Sequence, residues 1–191
     1  MIHKGPVSYL NNSKINYINN LKLKFAKKMK KLRKGHKNLD ILPILAGIEI
    51  IERENRFFMW RFFEYLFFTI NYALYRLVKK PLTNYSIGKY QLKVEYILEY
   101  KKIGFRKESK NLFLLENLSL HDFLGIIACS NAIVCLESIL QLKFINFNWS
   151  RLTEDNIKKL ALFYSRNIEF IDDFNYFTIL KELYFYQKLD Y

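Results

Sequence analysis

Apolar residues fall at helical spacing along most of the chain, and their pattern changes from segment to segment. Between Ser13 and Lys34, the residues Ile15, Ile18, Leu21, Phe25, Met29 and Leu32 recur at three- and four-residue steps, while the opposite side is almost entirely lysine. This predicts an amphipathic helix capped by Ser13 and stopped at Gly35. From Asp40 to about Lys80 the apolar positions crowd most sides, predicting one long helix. Asp40 would be its cap and Pro43 would sit in its first turn. Pro81 would stop it, with Lys79 and Lys80 at the negative end of its dipole. Residues 82–92 are short, polar and contain Gly88, which suits a turn or extended strand.

Beyond this turn the pattern predicts a short helix over 94–102, ended by Gly104, and then a charged loop. Ser119, with Asp122 three residues on, resembles a capping box opening a helix over 120–143, which is apolar nearly all round and should be central. Residues 146–151 read as a loop. Thr153 caps a helix from Glu154 to about Arg166, and a last helix runs over about 174–188. The sequence therefore predicts an all-α fold with at most a small irregular or β element near residues 82–92. A basic N-terminal arm, 1–39, would precede a helical domain, 40–191.

With 191 residues, 51% of them apolar and 17% aromatic, the chain can bury one substantial core. Its net charge of +13 is uneven. The first forty residues hold eleven Lys or Arg against the single acid Asp40. Such an arm could contact an anionic membrane surface or another partner through residues 14–34, contact phosphates, or pack its apolar stripe inward and leave its lysines in water. The aromatic residues mostly follow a helical core pattern apart from the lysines, which weakens a nucleic-acid-binding reading without removing it.

Cys129 and Cys135 would lie about 9 Å apart along a helix, too far to bridge, and read as small core residues. His3, His36 and His121 sit near no cluster at metal-ligand spacing, so neither metal nor cofactor is expected. The opening MIHKGPVSYLNNSK lacks the apolar stretch of a secretory signal. The expectation is a cytoplasmic chain, a mature fragment or export by another route. Residues 57–78 approach membrane-spanning length, but Arg61, Glu64, Asn71 and Arg76 interrupt them, and a buried core helix is expected instead.

Those charges deserve a reason, because Glu52, Arg56, Arg61 and Glu64 stand in the most apolar part of the sequence, where desolvation costs several kcal/mol unless a partner offsets it. Two readings of Glu52 stand side by side. Facing a cleft from an apolar helix, it would hold its proton near neutral pH and serve as a general acid. Paired with Arg56 one turn on, it would be an ordinary helix ion pair. Glu49 and Glu54 are competing acids, about 60° and 160° around the same helix. Glu64, about 18 Å along it, is too distant to be a second catalytic carboxylate and reads as half of a structural pair with Arg61.

Four features then occur in order: Ile48 to Glu52 on an apolar helix, the turn Ser86-Ile87-Gly88-Lys89-Tyr90-Gln91, a buried helix, and Ala161-Leu162-Phe163-Tyr164 with Tyr176 beyond. This order resembles the lysozyme-like superfamily of lytic transglycosylases and goose-type lysozymes. Departures are visible, since Arg53 follows Glu52, Lys89 and Tyr90 fill a usually apolar pair, and Ser165-Arg166-Asn167 follows Tyr164. The resemblance implies a lysozyme-like helical domain that cleaves the glycan strands of peptidoglycan. In it Glu52 would be the single catalytic acid. Ser86, Gly88 and Gln91 would hold the sugar, Tyr164 would orient the acid, and Arg56 and Tyr176 would modulate the site. The target would be the bacterial cell wall or periplasm. A non-catalytic interaction protein on the same fold, with an immunity, inhibitor or regulatory role, is the alternative.

Overall fold

The computed structural model describes residues 6–54, 58–78, 86–87, 90–97, 99–100, 119–127, 129–164 and 176–189. Its helices are α1 (Pro6–Arg33), α2 (Leu42–Glu54), α3 (Phe58–Val78), α4 (Leu120–Ile127), α5 (Cys129–Lys143), α6 (Glu154–Tyr164) and α7 (Tyr176–Leu189), with a 3-10 turn at Trp149–Arg151. Residues 94–97 and 99–100 are also helical. The fold is predominantly helical. Its β element lies where the sequence places it, as an antiparallel ladder of β1 (Ser86–Ile87) and β2 (Leu92–Lys93), with Ser86 opposite Lys93 and Ile87 opposite Leu92. Two compact units form, one from residues 1–51 with 148–191 and the other from 52–147.

The first unit is built around α2, whose residues Leu42 to Ile51 are all buried. It, rather than the helix over 120–143, is enclosed on every side. Gly47 explains how closely the neighbours approach, because a Cβ there would stand 2.7 Å from Leu180 of α7. α6 and α7 run antiparallel. The Leu152 N–H donates to the buried Tyr184 hydroxyl at 2.9 Å, Lys181 pairs with Glu154 at 2.7 Å, and Tyr164 meets Tyr176 at the far end. Thr153 caps α6 as expected. Its hydroxyl accepts from the Asn156 N–H at 3.2 Å, while its own N–H donates to Asn156 Oδ1 at 3.0 Å, the reciprocal arrangement of a capping box.

α1 packs in the same unit, burying Leu21, Phe25 and Met29. It begins at Pro6, where a missing amide proton is harmless, so Ser13 is interior rather than the cap. Gly35 does mark its end, with the Gly35 and His36 amides both donating to the Leu32 carbonyl. The lysine side divides. Lys27, Lys30, Lys31 and Lys34 face solvent, whereas Lys22 reaches Glu182 of α7 at 3.0 Å and Lys28 reaches Glu49 of α2 at 2.6 Å.

The start of α2 also shifts, because the Ile44 and Leu45 amides donate to the Ile41 carbonyl. Asp40 is therefore exposed one residue outside the cap, while Pro43 occupies the first turn as expected.

In the second unit, α3 lays Phe68 and Tyr72 against Phe123 of α4, at centroid separations of 5.2 and 5.9 Å. The single long helix expected over 40–80 is described as α2 and α3, and residues 55–57 between them lie outside the described residues. Nor is α3 the buried core helix expected, since Phe62, Phe63, Leu66, Phe67, Ile70, Leu74, Leu77 and Val78 are exposed. Among the described residues no helix is long and apolar enough to cross a membrane. On α5, Ala132, Ile133, Cys135, Leu136, Ile139 and Leu140 are buried while Asn131, Val134 and Leu142 are exposed, so this helix is amphipathic. Lys143 at its end pairs with Glu99 at 3.0 Å.

Candidate functional site

Three glutamates on α2 meet three different environments. Glu49 points into the first unit, 3% exposed, its Oε2 2.6 Å from Lys28 Nζ. A carboxylate so placed is neutralised by an adjacent cation and is closed to a large substrate. Glu54, at the helix end, is exposed. Glu52 lies between these extremes, half-buried one residue after the last buried position of α2. It is an acid at the edge of an apolar wall. Arg56, its expected modulator, lies outside the described residues, and so does the Arg61 side chain.

The turn after α3 is the second feature. Gln91 sits between β1 and β2, 6% exposed, with φ of +49°. That left-handed conformation is uncommon for a residue with a Cβ and costs on the order of 1 kcal/mol, so the surroundings must impose it. Glu64 supplies one such restraint. Gln91 Nε2 donates to both of its carboxylate oxygens, at 3.1 and 3.4 Å. The side chain is thereby fixed against α3, and Tyr90 beside it is buried. Ser86 is half-buried and paired in the ladder, while Gly88 lies outside the described residues.

Glu64 has a contact that sequence reasoning missed. The expected pair with Arg61 rests on a side chain outside the described residues, while Glu64 accepts from a side chain 27 positions away. Neither spacing nor periodicity signals that bond, because it depends on how the turn packs against α3.

Tyr164 and Tyr176 meet in the other unit, ring centroids 5.9 Å apart at 31°, both half-buried at facing ends of α6 and α7. The second unit thus holds Glu52, Ser86 and Gln91, and the first holds the tyrosine pair. Among the described residues no group of three or more His, Cys, Asp or Glu could hold a metal ion. No protein-family model, curated protein or solved structure matches the chain.

Proposed function

We propose that this protein cleaves the glycan strands of peptidoglycan, with Glu52 as its single acid. The observation that carries the reading is the division of labour on α2. Glu49 is occupied by Lys28, Glu54 stands in solvent, and Glu52 alone of the three lies at the boundary between apolar packing and the surface. Glu52 donates its proton to the glycosidic oxygen as the bond from the anomeric carbon breaks. The resulting carboxylate then takes a proton from the incoming nucleophile. If that nucleophile is the same sugar's 6-hydroxyl, a 1,6-anhydro end forms. If it is water, a reducing end forms. The half-buried Ser86, on the turn that Gln91 and Glu64 brace from within, supplies a polar group for an N-acetyl or hydroxyl substituent.

The test is turnover of purified peptidoglycan by the parent and by Glu52→Gln, with mass analysis of released muropeptides. Release by the parent and a loss of at least about a hundredfold in the variant, with unchanged thermal unfolding, is the expected result. If neither protein releases fragments while both stay folded, the catalytic reading is overturned. A second reading, a non-catalytic interaction protein, is favoured by one specific feature, the apolar face that α3 leaves exposed.

A further inference from the structure

We infer that the outer face of α3 docks on an anionic membrane surface. Its eight exposed apolar side chains span about four and a half turns from Phe62 to Val78. At about 100° per residue they cover an arc of about 160°. Phe62 and Phe63 are 60% and 39% exposed, Phe67 56%, Leu77 81%. Together the eight present on the order of 700 Å² of apolar surface, beyond the few hundred Å² of the largest patch on an ordinary monomer.

The width of the arc selects the occupant. A helix pairing with a second helix needs only a narrow seam, whereas a helix lying in the interfacial layer buries a broad face rich in Phe and Leu. The helix is also held along its length to its own unit, through Phe68 and Tyr72 on Phe123 and through Glu64 on Gln91. It can therefore lie flat on a surface while its inner side stays packed.

Polar groups bordering the face are already satisfied. The Thr69 hydroxyl donates to the Tyr65 carbonyl and the Asn71 amide to the Phe67 carbonyl, both at 2.9 Å, so neither loses a bond when water is displaced. Charge decides between the remaining partners. Residues 52–147, the unit that carries α3, hold fourteen Lys or Arg against nine Asp or Glu, a net +5 that draws this unit to anionic lipid and works against pairing with a second copy of itself. The inference is independent of the glycan chemistry.

The test uses the full chain and sedimentation with vesicles of phosphatidylcholine containing about one-third phosphatidylglycerol, beside vesicles of phosphatidylcholine alone. The parent is expected to bind the anionic vesicles, and the double variant Phe67→Gln/Leu74→Gln to bind at least about tenfold more weakly with every lysine retained. Ile70→Gln, a single change at another exposed position, is expected to give a severalfold loss. Thermal unfolding confirms that both variants are folded. Equal binding by parent and variants would assign any attraction to lysine alone and overturn the inference, as would a parent that leaves anionic vesicles untouched. A dimer that the same substitutions dissociate would overturn it in favour of self-association.

Discussion

Replacing Lys28 by methionine tests whether the α1–α2 contact is an ion pair that the first unit depends on. The pair is 2.6 Å apart, with the Lys28 side chain 16% exposed and that of Glu49 4% exposed. At an effective dielectric constant near 20 the attraction at this distance is about 6 kcal/mol. Desolvation of the two ions costs several kcal/mol each, so the intact pair contributes little compared with an apolar replacement of the same shape. Removing one partner is different. Methionine keeps most of the lysine stem but leaves Glu49 charged, buried and deprived of its cation, and the expected loss is about 3–4 kcal/mol. Glu49→Gln should cost less, about 1–2 kcal/mol, because an ammonium with some exposure can extend to water. Equilibrium urea unfolding of the parent, both single variants and the double variant gives the coupling energy. It should be at least about 2 kcal/mol, with the double variant more stable than Lys28→Met alone. A Lys28→Met variant within about 0.5 kcal/mol of the parent would refute the reasoning and leave the apolar contacts of Leu21, Phe25 and Met29 to hold α1 in place.

Two other predictions concern the second unit. Gln91→Ala removes the bonds to Glu64 and should cost about 1.5–3 kcal/mol in urea unfolding, while Glu64→Gln, which keeps an acceptor, should cost clearly less. Burial pushes the Cys135 thiol from an ordinary 9.0 up to about 12. In a Cys129→Ser background the thiol should resist a disulfide reagent near neutral pH until urea unfolds the chain. Because the folded value lies above the unfolded one, the stability tied to this proton is complete below about 9 and fades as pH rises towards 12. Cys135→Ala should flatten that part of the stability profile, and an unchanged profile would count against the burial.

The features legible in the sequence were those decided within a few residues. Gly35 stops α1, Pro43 enters the first turn of α2, Thr153 caps α6, and the polar stretch after Pro81 contains the β ladder. Each depends on backbone chemistry that acts locally. The starts of α1 and α2 were misplaced because Ser13 and Asp40 are good caps by type, while α1 already begins at Pro6 and Ile41 takes the cap position of α2.

What escaped was set by contacts between distant segments. No periodicity brings Lys28 to Glu49 or Gln91 to Glu64. An apolar pattern around a helix also looks the same whether the helix is enclosed, as α2 is, or half-covered, as α3 is. Glu52 could be singled out by the resemblance. Its difference from Glu49 emerged only once α1 had been placed.

The first unit is discontinuous in sequence, taking residues 1–51 from one end of the chain and 148–191 from the other. During synthesis this imposes an order. Residues 52–147 can condense as soon as they have emerged, but the apolar stretch from Ile41 to Ile51 must wait for Leu180 and Leu183 of α7, which are made only after the whole of the second unit. Until then Glu49 can meet Lys28 but lacks its apolar surroundings, and α2 is a sticky segment on an unfinished chain. Loss of the final helix, by a premature stop or by proteolysis, would therefore strand the most hydrophobic helix of the first unit. Chaperone dependence and aggregation should accordingly rise far more steeply with C-terminal truncation than with loss of the first few residues.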